Sequence, residues 1–206
     1  MIKVNGLTVL RGERLVFRHL NFAWDKPELI CLTGANGSGK TTLLSLLAGA
    51  LPFDNGDIHI LGHSLRSEHH TAAQQISYVP DDCPIYPFVT GSEWLSFVKS
   101  IRIADPFLER RLLSDFGLTP HLNCRFEAMS LGTAKKFILA SALMCGTPLL
   151  IFDEPTNGLD QTSVEALNHH LMLRKSKDMI IISCLNPHQQ TMMAARTVEL
   201  CSLERP

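Results

Sequence analysis

Residues 29–41 read LICLTGANGSGKT. Leu29 to Thr33 is an apolar run of strand length. Gly34-Ala35-Asn36-Gly37-Ser38-Gly39-Lys40-Thr41 then matches G-x-x-x-x-G-K-[ST] without a mismatch. A helix is expected to follow, from about Thr41 through Thr42 to Ala50. The chemistry requires this order of strand, loop and helix. Glycines let the backbone fold tightly enough for its N–H groups to surround a phosphate. The helix N-terminus adds unpaired N–H groups and a partial positive charge. Lys40 reaches the outer phosphates, and the Thr41 hydroxyl serves Mg²⁺. The stretch therefore predicts ATP and Mg²⁺ as cofactors.

A second buried-strand run, Leu149 to Phe152, stops on Asp153 and Glu154. An acid at a strand tip is the natural companion of a phosphate loop, where it holds Mg²⁺. Asp153 fits that role. Glu154, one residue past the strand, is placed to polarise an attacking water. The bland alternative is an acidic first turn on a following helix. It does not explain two acids directly after an apolar run.

The remaining pattern alternates strand with helix. Short strand-like runs fall at Ile2 to Val4, Leu15 to Phe22, Ile58 to Leu61, Ile76 to Val79, Met179 to Ser183 and Thr197 to Leu200. Thr90-Gly-Ser-Glu93 is a capping box opening an apolar-periodic helix to Ile101. Further helical patterns cover Pro106 to Phe116 and Leu131 to Cys145. A last one starts near Thr162, with Glu165 completing a second capping box. This order implies an α/β fold, a mainly parallel sheet with helices on both faces. A single domain over 1–206 is expected, with its core in 1–81 and 146–206 and a helical insert over 82–145.

With 45% apolar and 19% charged residues, the 206-residue chain is an ordinary globular sequence. A net charge of −1 gives no electrostatic case for nucleic acid as the partner. No apolar run reaches the length that spans a bilayer, and the first residues lack a signal-peptide core. The six cysteines include no C-x-x-C pair, which fits a reduced, cytoplasmic setting. The pairs His69-His70 and His169-His170 are poor metal clamps, because helix neighbours point about 100° apart. They are read as solvated surface groups.

Taken together, GANGSGKTT, SLGT, LLIFDEPTNGLD and IIIS resemble the ATPase subunit of an ABC transporter. The resemblance runs from LTVLRGERLVFRHLNF to the last strand. It implies a P-loop NTPase fold with a RecA-like core, an N-terminal antiparallel part and an inserted helical subdomain. It implies a head-to-tail pair of ATPase subunits driving a separate transmembrane permease from the cytoplasmic face of the membrane. The signature usually reads Leu-Ser-Gly-Gly-Gln; here Met129 is followed by Ser130, Leu131, Gly132 and Thr133. By the resemblance, Ser130 and Gly132 bind the γ-phosphate of ATP held by the other copy, and Asp160 lines the dimer interface. The departures at Leu131 and Thr133, with YVPDD, lean toward export. YVPDDCPIYPFVTGSEWLSF resembles exporter subunits, and RGER followed by LVF and LNF resembles haem-exporter-type systems. Pro87, Phe88, Trp94 and Phe97, within the stretch from Pro84 to Phe97, are candidates for docking a permease helix; subdomain core is the competing account for Trp94 and Phe97.

Three positions depart from the family pattern. Asp81 stands where a glutamine usually contacts Mg²⁺, so it is a further metal and switch candidate. Arg11 stands where an aromatic ring often stacks on adenine; a guanidinium also stacks. Leu185 replaces the histidine that contacts the γ-phosphate, and leucine donates no hydrogen bond; His188 lies three residues on. The expected activity is therefore ATP hydrolysis coupled to transport, at a slow rate. The alternative is a hydrolysis-impaired ATP-binding regulatory subunit. A soluble member acting on ribosomes or DNA is disfavoured by the charge.

Overall fold

The structure is a computed structural model that describes residues 1–83, 86–183 and 195–203. Two sheets organise it. The first is antiparallel, in the order β2-β1-β4-β5. Its strands are β1 (Ile2–Arg11), β2 (Arg14–Trp24), β4 (Asn55–Ile60) and β5 (His63–Ser64). The second has the order β6-β7-β8-β3-β9, from β6 (Ile76–Val79), β7 (Leu149–Phe152), β8 (Met179–Ser183), β3 (Glu28–Thr33) and β9 (Arg196–Glu199). β7, β8, β3 and β9 run parallel.

The first strands are longer than their apolar runs suggest. β1 extends to Arg11 because it is hydrogen-bonded on both edges, to β2 and to β4. The short β5 and helix α2 (His69–Gln74) carry no clear apolar period and were not anticipated. β7 and β8 are buried at every position, as expected for interior strands of a parallel sheet. Helix α1 (Lys40–Leu47) buries Leu43, Leu44, Leu46 and Leu47. These leucines join one core with Val9 and Ile58 of the antiparallel sheet and with Ile30, Ile151 and Ile181 of the parallel sheet.

The chain divides into two compact units, one of Met1–Tyr78, Thr147–Asp153 and Lys175–Pro206, the other of Val79–Gly146 and Glu154–Arg174. The first holds both sheets and α1. The second holds α3 (Gly91–Ile101), α4 (Pro106–Asp115), α5 (Leu131–Met144) and α6 (Gln161–Arg174). Residues 154–174 cluster with these helices. Side-chain bonds account for this. His170 Nε2 meets Asp115 Oδ2 at 2.8 Å, and Arg174 Nη1 donates to the carbonyls of Leu143 and Cys145.

The helix caps follow the sequence, with one correction. Thr90 and Glu93 form both bonds of the capping box, and Asp105 caps α4 ahead of Pro106. α6 is capped by Asp160, not Thr162: Asp160 Oδ1 accepts from Ser163 N at 2.8 Å. Thr162 Oγ1 donates to the same oxygen, and Glu165 accepts from Gln161. The carboxylate two residues before Thr162 reaches the orphan N–H of Ser163. A second correction concerns His170, which is buried at 3% exposure beneath Asp115 rather than solvated. His169 is exposed and meets Arg111.

Candidate functional site

The first unit carries the phosphate loop and one acid. β3 ends at Thr33 and α1 begins at Lys40, so Gly34 to Gly39 bridge strand to helix. Gly34, Gly37 and Gly39 all have positive φ, a region that L side chains rarely adopt. A Cβ on Gly39 would also meet Phe17 Cζ at 3.2 Å and Val16 Cγ1 at 3.3 Å, so the loop backs directly on β2. Lys40 is buried, and its Nζ donates to the carbonyls of Gly34 at 2.8 Å and Ala35 at 3.1 Å. The ammonium thus lies over the mouth of the loop. Ala35, Asn36 and Gly37 are exposed, as is Thr41 at the start of α1; Ser38 and Thr42 are half-buried. Arg14 Nη2 donates to the Gly37 carbonyl at 3.3 Å. No motif singled out Arg14. Arg11 Nη2 donates to the Pro52 carbonyl at 3.2 Å and Nη1 to that of Leu10.

Strand register delivers the acid. Phe152 of β7 pairs with Ile182 of β8, and Ser183 of β8 pairs with Leu32 of β3. Asp153 therefore follows β7 beside Ser183, at the carboxyl edge of the parallel strands where ligands of open α/β sheets bind. Asp153 is buried, and its Oδ1 accepts a short bond from Ser183 Oγ. Its Oδ2 is buried without a hydrogen-bond partner among the described residues. A buried carboxylate oxygen without a hydrogen-bond partner suits a hard divalent cation.

The second unit carries the other acids and residues 130–133, expected to form the signature. Glu154 has φ +44°, a left-handed conformation that costs a non-glycine residue on the order of 1–3 kcal/mol. Lys135 Nζ, on α5, donates to the Glu154 carbonyl at 2.8 Å and to Asp81 Oδ1 at 3.3 Å. Asn157 Nδ2 donates to the same Asp81 oxygen. Ser130 caps α5 by accepting from Thr133 N at 3.1 Å. Leu131 is exposed at 69%. A Cβ on Gly132 would stand 2.4 Å from the Gly158 carbonyl oxygen, so only glycine lets α5 approach that turn. Asp160 accepts from Lys136, Thr162 and Ser163, which hold its carboxyl well below the usual carboxylate range. Lys135 and Asn157 were missed because nothing in their spacing marks them. Leu185, His188 and Pro84 lie outside the described residues. Phe88 (74% exposed) and Phe97 (53%) are open, while Trp94 is half-buried against Phe97 and Phe126.

A glycine-rich loop between β3 and α1, with an acid at the tip of β7, defines a P-loop NTPase fold. The chain belongs to the ABC transporter family, whose profile matches residues 17–157. The chain is 32% identical over 167 residues to the linearmycin resistance ATP-binding protein LnrL of Bacillus subtilis (strain 168), covering 79% of this chain and 54% of that one. It is 30% identical over 169 residues to the cytochrome c biogenesis ATP-binding export protein CcmA of Vibrio vulnificus (strain YJ016), covering 81% and 82%. A solved structure described as the ATP binding subunit of an ABC transporter superposes with a TM-score of 0.87 at 26% identity, covering 97% of this chain and 85% of that one. The chain spans about half the length of several curated relatives it matches. Family members bind ATP, generally with Mg²⁺. Among the described residues no helix is long and apolar enough to cross a membrane.

Proposed function

We propose that this chain is the ATP-hydrolysing subunit of an exporter, docked on a separate membrane-spanning permease at the cytoplasmic face of the membrane. The observation that carries the reading is the tip of β7. There Asp153 keeps a buried, unpartnered carboxylate oxygen, and Glu154 follows in a strained left-handed turn. Strain of this kind persists where the surroundings impose it, and it clusters at functional sites.

In this reading the N–H groups of Gly34 to Thr41 and the Lys40 ammonium bind the phosphates of ATP. Thr41 and Asp153 hold Mg²⁺, and Asp81 stands by as a further acid. When bound, the metal neutralises phosphate charge. Glu154 orients water and takes its proton. Ser130 and Gly132 present the N-terminus of α5 to the ATP of a second copy, an anion site made of a hydroxyl and unpaired N–H groups. Arg11 stacks on adenine. Phe88 and Phe97, exposed in the helical unit, suit an apolar permease helix. Export is supported by the similarity to the cytochrome c biogenesis ATP-binding export protein and by the signature departures. The hydrolysis-impaired alternative rests on Leu185, outside the described residues, and no observation favours it.

The test is ATP turnover by the purified chain beside Glu154→Gln. Wild type is expected to turn over with Mg²⁺, and Glu154→Gln to fall at least about a hundredfold while still binding ATP. Equal background turnover in both proteins would sink the reading.

A further inference from the structure

We infer that Lys135 is a positioning residue: its ammonium clamps the backbone of Glu154 and couples it to the signature helix. The inference rests on Glu154 being the general base.

Lys135 is 3% exposed. A buried ammonium is costly unless its hydrogen bonds and charge are answered. Here both are. Nζ donates to the Glu154 carbonyl at 2.8 Å and lies 3.3 Å from Asp81 Oδ1. The carbonyl it holds belongs to the one residue of the 154–160 turn that is not glycine yet has positive φ. Left alone, such a residue relaxes toward ordinary φ. The Lys135 bond opposes that relaxation, because it is charge-assisted and shielded from water.

The clamp is not isolated. Lys135 lies five residues after Ser130, which caps the same helix. One turn away Gly132 abuts the Gly158 carbonyl, and Lys136 pairs with Asp160. Asn157, from the turn, shares Asp81 with Lys135. The N-terminal half of α5 therefore grips residues 154–160 at several points. Asn157 also touches both Glu154 and Asp81, its backbone N–H donating to the same Glu154 carbonyl at 3.1 Å, but Asn157 belongs to the turn itself; of the α5 residues named here, Lys135 reaches both. A displacement of α5 that moves Ser130 pulls on the Glu154 carbonyl through one side chain. In this way engagement of the signature residues sets the carboxylate direction.

Two variants and two readouts test this. Lys135→Met keeps the length of the side chain and removes its donors; Lys135→Gln keeps a neutral N–H. For Lys135→Met we expect kcat to fall at least tenfold, with KM and ATP affinity within twofold of wild type. Lys135→Gln should fall between. Backbone amides 155–160 of Lys135→Met should exchange with deuterium at least tenfold faster, with β7 unchanged. Wild-type kcat in Lys135→Met overturns the inference, as does a parallel loss of kcat, ATP affinity and melting temperature. If Lys135→Met does not fold, Lys135→Gln decides by the same split. If wild type itself shows no Glu154-dependent turnover, the proposed function fails. The clamp then stands or falls on the exchange rates alone, and unchanged exchange overturns it.

Discussion

Ser183 Oγ at the end of β8 donates to Asp153 Oδ1 just beyond the end of β7. Both groups are buried. The bond occupies one carboxylate oxygen, while the other, Oδ2, is buried without a hydrogen-bond partner among the described residues. Ser183→Ala would leave Oδ1 short of its donor in a dry site. We expect a stability loss of about 1–3 kcal/mol, read by thermal melting, together with a raised Mg²⁺ requirement for turnover. An unchanged Mg²⁺ dependence would separate Asp153 from the metal.

Lys40 closes the loop onto the Gly34 and Ala35 carbonyls. Lys40→Ala removes the one buried cation of the loop. Charge-assisted bonds of this type contribute about 1.5–3 kcal/mol, so binding of a fluorescent ATP analogue should weaken about tenfold or more. Circular dichroism should stay unchanged, because Lys40 donates only to the loop's own carbonyls.

Neighbouring positions in the first turn of α5 should respond in opposite ways. Gly132→Ala drives a methyl group against the Gly158 carbonyl, 2.4 Å from where it must sit. Overpacking of this kind costs about 1–3 kcal/mol and should show as a lower melting temperature. Leu131→Ala changes a residue that is mostly in solvent, so stability should hold within about 0.5 kcal/mol.

His170 supplies a pH test. Burial pushes its imidazole below the usual value of 6.5, partly offset by Asp115. The folded state therefore disfavours the proton more than the unfolded state does. The stability this represents is fully present above about 6.5 and is lost as pH falls below it toward the folded-state value. Melting temperature should decline between neutral pH and about pH 5, and His170→Asn should flatten that decline. Arg111 and His169 face the same pair and should be kept intact.

The local pieces were legible in the chain because their causes are local. The run LICLT buries a strand, three glycines permit the loop, and Lys40 opens a helix of leucines. Thr90 and Glu93 announce their helix by a bond between residues three apart. LLIFDE declares a buried strand with acids at its end. Each of these follows from side-chain period, backbone freedom or capping within a few residues.

Other features depend on which elements become neighbours, and only the tertiary structure decided them. The order β6-β7-β8-β3-β9 seats Ser183 beside Asp153, although they are 30 residues apart. Packing of α5 on the turn after β7 buries Lys135, a residue that reads as an ordinary surface lysine in LGTAKKF. Packing of α6 on α4 buries His170 and draws 154–174 into the helical unit. The physical reason is common to all three. A polar side chain is buried only where partners from distant elements satisfy it, and those partners exist only once the long-range pairing has formed.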